Sequence, residues 1–169
     1  MPTLTQARAL VLYGDPGLHR SEPDPAWVKA NIVTSQGANA MPGVPRKWYF
    51  QCHRLVEDQL RRAFAAARTA APGYHIERAA SFVFRHMRHD NSLPLSLHSW
   101  GVAVDIDAAD NAAHTFTPGT CPEPWSPAWM KLWPHGLPRA FVEAFEAQGF
   151  EWGGRWTGYC DPMHFQVKG

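Results

Sequence analysis

Apolar positions recur with different periods along this chain, and the changes of period mark out its elements. Between Tyr13 and Trp48, residues 13–48, Gly, Pro, Asn and Asp interrupt the sequence too often for any sustained period. That predicts a long irregular surface segment, pinned to the core by Trp27, Ile32 and Val33. From Trp48 to about Ala70, Leu55, Val56, Leu60, Phe64 and Ala67 recur at helical spacing with Arg and Glu between them. This is the pattern of an amphipathic helix, stopped before Pro72-Gly73. Residues 74–89 place Ile76, Ala80, Phe82 and Phe84 on one parity, as a strand would, and His89-Asp90-Asn91 supplies a polar turn.

Beyond that turn, Gly101, Ala103, Asp105 and Asp107 alternate with Val102, Val104 and Ile106. The alternation predicts a strand with one small, acidic face and one aliphatic face. Residues 108–135 form a Pro-rich excursion, expected to be a loop or lid. Residues 138–148 predict a second helix, with Phe141, Ala144 and Phe145 inward and Gly149 as its stop. Phe150-Glu151-Trp152, a turn at Gly153-Gly154 and the segment Met163–Val167 read as a closing strand pair. No internal repeat or low-complexity tract is present. The fold class expected is α+β, a small antiparallel sheet with flanking helices, with residues 1–169 as one domain.

Composition narrows the function classes. A 169-residue chain that is 45% hydrophobic, with eight Trp and nine Phe, can bury a substantial core, which excludes disorder. A net charge of +1 gives no chain-wide attraction to nucleic acid, so no nucleic-acid partner is expected. The basic stretch from Arg78 to Arg88 is read as a substrate-facing patch. No apolar run is long enough to cross a bilayer, so no membrane insertion is expected. Met1 to Gln6 lack the basic and apolar regions of a secretory signal, and the expectation is cytoplasmic synthesis. Cys52, Cys121 and Cys160 form no C-x-x-C pair. They are expected to be reduced thiols, with a single bridge as the alternative.

The candidate chemistry lies in two short clusters. The first is Ser96-Leu97-His98-Ser99-Trp100-Gly101-Val102-Ala103-Val104-Asp105, and the second is Asp161-Pro162-Met163-His164-Phe165. Two imidazoles and one carboxylate, from His98, His164 and Asp105, make the ligand set of a catalytic zinc with a fourth position open. His98 and Asp105 differ in parity, so the bend at Ser99–Gly101 must bring them together. Asp161 then stands where a general base is useful. The remaining histidines, His19, His53, His75, His86, His89, His114 and His135, sit in no such pattern and are assigned to surface or core.

The spacing Ser96-x-His98-x-x-Gly101-x-Ala103-x-Asp105 with the distant Asp161-x-x-His164-Phe165 resembles the D-Ala-D-Ala carboxypeptidase and L-alanyl-D-glutamate endopeptidase family of zinc peptidases. Tyr13-Gly14-Asp15-Pro16 and Gly149-Phe150-x-Trp152-Gly153-Gly154-x-Trp156 look like further landmarks of that family in the expected order. The resemblance implies a fold shared by DD-peptidases and Hedgehog-type signalling domains. It implies one Zn2+ held by His98, Asp105 and His164, Asp161 as catalytic carboxylate, and Arg88 or Arg85, with Arg88 preferred, stabilising the oxyanion. Ser96 is expected to bind substrate or orient a ligand. Trp100, Trp152 and Trp156 are expected to form core or cleft wall. Where the family often carries Glu after His-Phe, this chain carries Gln166.

The partner implied is the bacterial peptidoglycan stem peptide. The compact domain favours the endopeptidase branch, endolysin-like, acting as a monomer on the cell wall after holin-type release. The D-alanyl-D-alanine carboxypeptidase and a catalytically inactive zinc-containing binding module are the alternatives.

Overall fold

A computed structural model describes residues 3–36, 40–47 and 49–169. Met1, Pro2, residues 37–39 and Trp48, where the first helical periodicity starts, lie outside the described residues.

The stretch expected to be irregular is partly ordered. Helix α1 (Gln6–Tyr13) is capped by Thr5, whose side chain accepts from the Arg8 amide, and ends at Gly14 with φ of 80°. Helix α2 (Pro25–Asn31) begins at Asp24, whose carboxylate accepts from the amides of Ala26 and Trp27. Asp-Pro, read from composition as loop, is here a cap followed by a favoured first helical residue. Strand β1 (Ile32–Ser35) follows and pairs antiparallel with β2 (Phe50–His53). The periodic segment therefore opens as a strand, and helix α3 (Glu57–Ala70) starts later than its spacing suggests. Leu55 lies in the turn between them and is 57% exposed, whereas Leu60, Phe64 and Ala67 are fully buried.

The central sheet combines β3 (Ala79–Ala80), β4 (Ala103–Ile106), β6 (Phe150–Trp152) and β8 (His164–Val167) in the order β3-β4-β8-β6, all antiparallel. Its register sorts the side chains. Val104, Phe165 and Trp152 stand in one row, as do Phe150 and Val167. Asp105 and His164 are direct partners on the opposite face, as are Ala103, Gln166 and Glu151. Helix α5 (Arg139–Ala147) and α3 cover the apolar face. The Phe145 ring lies 5.1 Å from Phe64 and 4.6 Å from Phe165, all three fully buried. Strands this short are marginal alone, so this aromatic layer holds them, each ring contributing about 1.5–3 kcal/mol by burial.

Two expectations need correction. Of residues 74–89, only Ala79 and Ala80 join a ladder. In the remainder, Phe82 N–H donates to Gln51 O and Val83 N–H to His98 O, His86 makes an isolated antiparallel bridge to Leu95, and Met87–His89 form a short helical turn. Residues 108–135 are no free lid. They include β5 (His114–Thr115), paired with β7 (Tyr159–Cys160), and α4 (Pro127–Leu132). Trp129 and Trp133 anchor this segment in the core, Trp129 packing 5.6 Å from Trp152.

Cys121 and Cys160 form a disulfide with Cα atoms 6.5 Å apart, correcting the expectation of reduced thiols; only Cys52 is free, and it is buried. Wide spacing in sequence hid a contact made by the β5–β7 pair. Among the described residues, no helix is long and apolar enough to cross a membrane.

Candidate metal centre

His98 is placed by a short helical turn, Leu97–Trp100, with Ser96 as its cap. Ser96 Oγ accepts from the His98 amide at 3.4 Å, and Gly101 ends the turn at φ of 67°. Only glycine fits there, because an added Cβ would stand 2.8 Å from His53 N. Trp100, fully buried, donates its indole N–H to Gly14 O at 2.8 Å, tying the N-terminal Tyr-Gly-Asp-Pro segment to the back of the site. Asp105 and His164 need no bend, since β4 and β8 pair them directly.

Three donor atoms converge. His98 Nε2 lies 3.0 Å from Asp105 Oδ1, His164 Nδ1 lies 3.0 Å from the same oxygen, and the two nitrogens are 3.1 Å apart. A tetrahedral zinc with bonds near 2.0 Å sets its ligand atoms about 3.3 Å apart, so the triangle is close to what the ion requires. The outer ring nitrogens point to acceptors. His98 Nδ1 is 2.7 Å from Ser81 O, and His164 Nε2 is 3.2 Å from Gln166 Oε1. Assigning the tautomers from these partners puts both protons on the outside. Two nitrogen lone pairs and a carboxylate oxygen then face one another, an arrangement that is favourable only around a cation. His98, Asp105 and His164 could thus hold a metal ion.

The electrostatics agree. Burial works against charge on Asp105, but His98 and His164 outweigh it and hold the carboxyl well below its usual range. Burial also opposes charge on His164, and the hydrogen bond and charge of Asp105 reverse that and raise it. Asp161 behaves oppositely, with burial pushing its carboxyl up while His164 pulls against it. Its Oδ1 is buried without a hydrogen-bond partner.

Gly153 makes this placement possible. Its carbonyl accepts from the Asp161 amide at 3.1 Å, and an added Cβ would lie 2.6 Å from Asp161 O and 3.3 Å from His164 Cβ. Neither this spacing role nor the Ser81 carbonyl is visible in the sequence.

A cavity of about 520 Å3 opens over the centre, lined among others by Asp105, Asp161, His164, Arg85, Arg88 and Ser96. Six of the seven candidate site residues therefore reach one space, and the seventh, His98, meets it through its contacts with Asp105 and His164. Arg85 sits nearest the ligands, its guanidinium 3.7 Å from Asp105 Oδ2. Ser99 fixes its backbone, Oγ accepting from Arg85 N at 3.0 Å and donating to Arg85 O at 2.9 Å. Arg88 stands over the ring of Tyr159 at 4.4 Å. Ser96 is 6% exposed and engaged in its cap.

Trp152 is core and Trp156 is cleft wall, its ring 5.3 Å from His164. The opposite wall, Thr3 to Gln6, comes from the N-terminus, where no motif announced it. Gln6 holds that wall by donating to Leu95 O at 3.0 Å.

Residues 89–167 match the family model described as D-alanyl-D-alanine carboxypeptidase. The match contains His98, Asp105, His164 and Asp161, while Arg85 and Arg88 precede it. No curated protein and no solved structure matches the chain. Family match and donor geometry coincide on the same residues, and over this part of its length the chain is similar to the D-alanyl-D-alanine carboxypeptidase family.

Proposed function

We propose that this protein is a zinc peptidase that hydrolyses peptidoglycan stem peptides, as an L-alanyl-D-glutamate endopeptidase. The observation that carries the reading is a convergent His98–Asp105–His164 triangle beside Asp161, whose Oδ1 is buried with no hydrogen-bond partner among the described residues. A metal held only for structure needs no base at its edge. The zinc, when bound, supplies Lewis acidity that polarises the scissile carbonyl and makes water acidic near neutral pH.

The chain's own residues do the rest. Asp161 accepts a proton from the attacking water and returns it to the leaving amine. Its raised pKa suits both halves of that exchange. Arg85, beside the ligands, faces the oxygen on which negative charge develops. Ser96 and Ser99 keep His98 and Arg85 in place. The cationic wall of Arg85 and Arg88 fits a substrate with a carboxylate beside the scissile bond, as D-glutamate has. A terminal D-alanine offers the same group, which is why the carboxypeptidase is the second reading.

The disulfide supports action outside a reducing cytoplasm, consistent with release to the cell wall. Digestion of purified peptidoglycan, with and without a chelator, followed by mass spectrometry of the fragments tests the assignment. The expected product has a new D-glutamyl amino terminus and disappears on chelation. Release of D-alanine alone establishes the carboxypeptidase, and no chelator-sensitive product from several wall types refutes the peptidase.

A further inference from the structure

Tyr159 is a residue for which the chemistry above has no use, yet it shares the cavity with Asp105, Asp161 and His164. It stands two residues before Asp161. Its position is determined from three sides. The ladder between β5 and β7 pairs it with Thr115, and the neighbouring Cys160 is bridged to Cys121. On the third side the Arg88 guanidinium covers its ring at 4.4 Å.

That contact is made at a cost. Arg88 and His89 both carry left-handed backbone, with φ of 53° and 57°. A residue with a Cβ adopts that conformation only under strain. Strain of this kind persists where the surroundings enforce it, and it clusters at functional sites. The phenol hydroxyl, meanwhile, has no hydrogen-bond partner among the described residues. A half-buried ring fixed this firmly, with its one polar atom unspent in a catalytic cleft, has a donor to give.

Resting on the peptidase reading, we propose that Tyr159 is a further catalytic residue, its hydroxyl donating a hydrogen bond to the oxyanion of the tetrahedral intermediate. As water oxygen bonds to the scissile carbon, the carbonyl π pair moves onto oxygen and Asp161 takes the water's proton. The Tyr159 O–H and the Arg85 guanidinium stabilise that oxygen without giving up a proton. On collapse the pair re-forms the carbonyl, the C–N bond breaks, and the amine leaves with the proton held by Asp161. The sum is peptide plus water to acid plus amine. Arg88 is a positioning residue in this scheme. Its cation draws electron density from the ring, which strengthens the phenol as a donor.

The experiment compares wild type with Tyr159→Phe, which keeps the ring and its stacking and removes only the hydroxyl. Turnover is measured on a soluble stem peptide containing the L-Ala-D-Glu bond. Zinc content, melting temperature and the inhibition constant of a phosphinate analogue of that bond are measured alongside. The expected loss is about 10²-fold in kcat, the usual effect of deleting one oxyanion donor. The phosphinate should weaken in parallel, while KM, zinc content and melting temperature hold. Wild-type kcat in the variant overturns the role. So does a fall in kcat accompanied by loss of zinc or of thermal stability, which assigns Tyr159 to structure. A wild-type protein that cleaves no stem peptide refutes the peptidase reading itself, and this role with it.

Discussion

Replacing Gln166 by Leu should weaken metal binding about 10–100-fold while barely changing the stability of the metal-free protein. His164 is almost wholly buried and can give only one nitrogen to the metal. With Nδ1 facing Asp105 and His98, the ring proton must sit on Nε2, where Gln166 Oε1 accepts it at 3.2 Å. Leucine leaves that N–H buried and unpaired, a cost of about 1–3 kcal/mol. At about 1.4 kcal/mol per tenfold, the cost corresponds to a loss of roughly 5- to 150-fold in affinity, in line with the effect of removing a ligand's outer partner.

The metal-free protein escapes most of this cost. Its His164 can carry the proton on Nδ1 instead and donate to Asp105 Oδ1 at 3.0 Å. The penalty therefore falls on binding rather than on folding. Gln166→Glu should do the reverse, because a carboxylate accepts the Nε2–H more strongly and makes the ring a better ligand. Zinc affinities by chelator competition, read beside melting curves of the chelated proteins, decide the matter. Wild-type affinity in Gln166→Leu, or an equal loss of stability in the metal-free form, refutes the reasoning.

Two other outcomes are expected. Asp161→Ala should retain zinc and lose turnover by about 10²–10⁴-fold, because it removes the proton carrier and leaves all three ligands. The acid limb of the wild-type kcat/KM profile should lie above the ordinary carboxylate range near 4, since burial raises Asp161 and the base fails once it is protonated. A limb at the ordinary value, or turnover surviving in the variant, contradicts its role. Removing the bridge across a separation of 39 residues by Cys121→Ser with Cys160→Ser should destabilise the fold by up to about 4 kcal/mol, the loop-closure entropy returned to the unfolded chain. Denaturant unfolding of the two proteins measures it, and equal midpoints would show that the β5–β7 contact needs no covalent tie.

What the sequence made legible was the part of the site encoded by local patterns. His98 and Asp105 stand in one motif whose glycine marks the bend, and Asp161 and His164 stand in another. The helices were legible where their apolar faces are long, as in Leu60, Phe64 and Ala67, and obscure where Asp24 and Pro25 had to be read as a cap. The walls of the cleft were illegible because they come from distant chain. Thr3–Gln6 reach the metal centre only through the folded N-terminus, and Tyr159 only through a ladder to β5. The different settings of Arg85 and Arg88 were likewise nonlocal. Both reach the cavity, but Ser99 clamps the backbone of Arg85 beside Asp105, while Arg88 is turned onto Tyr159.

The core also decides the chemistry, through register. Asp105 faces His164 because Val104 faces Phe165 in the next row of the same ladder. A slip of one residue between β4 and β8 would turn every side chain of the moving strand to the other face. Phe165 would enter the cleft opposite Asp105, and His164 would be driven among Phe145 and Trp152. Expelling the fully buried Phe165 ring alone costs about 1.5–3 kcal/mol, and burying an imidazole without partners adds to it. Ala103, with no bulk above the sheet, leaves the facing Gln166 free to reach His164. The aromatic layer under the sheet thus fixes the facing pair Asp105 and His164 above it. Changes in that layer that loosen the register should lower zinc affinity before they unfold the protein.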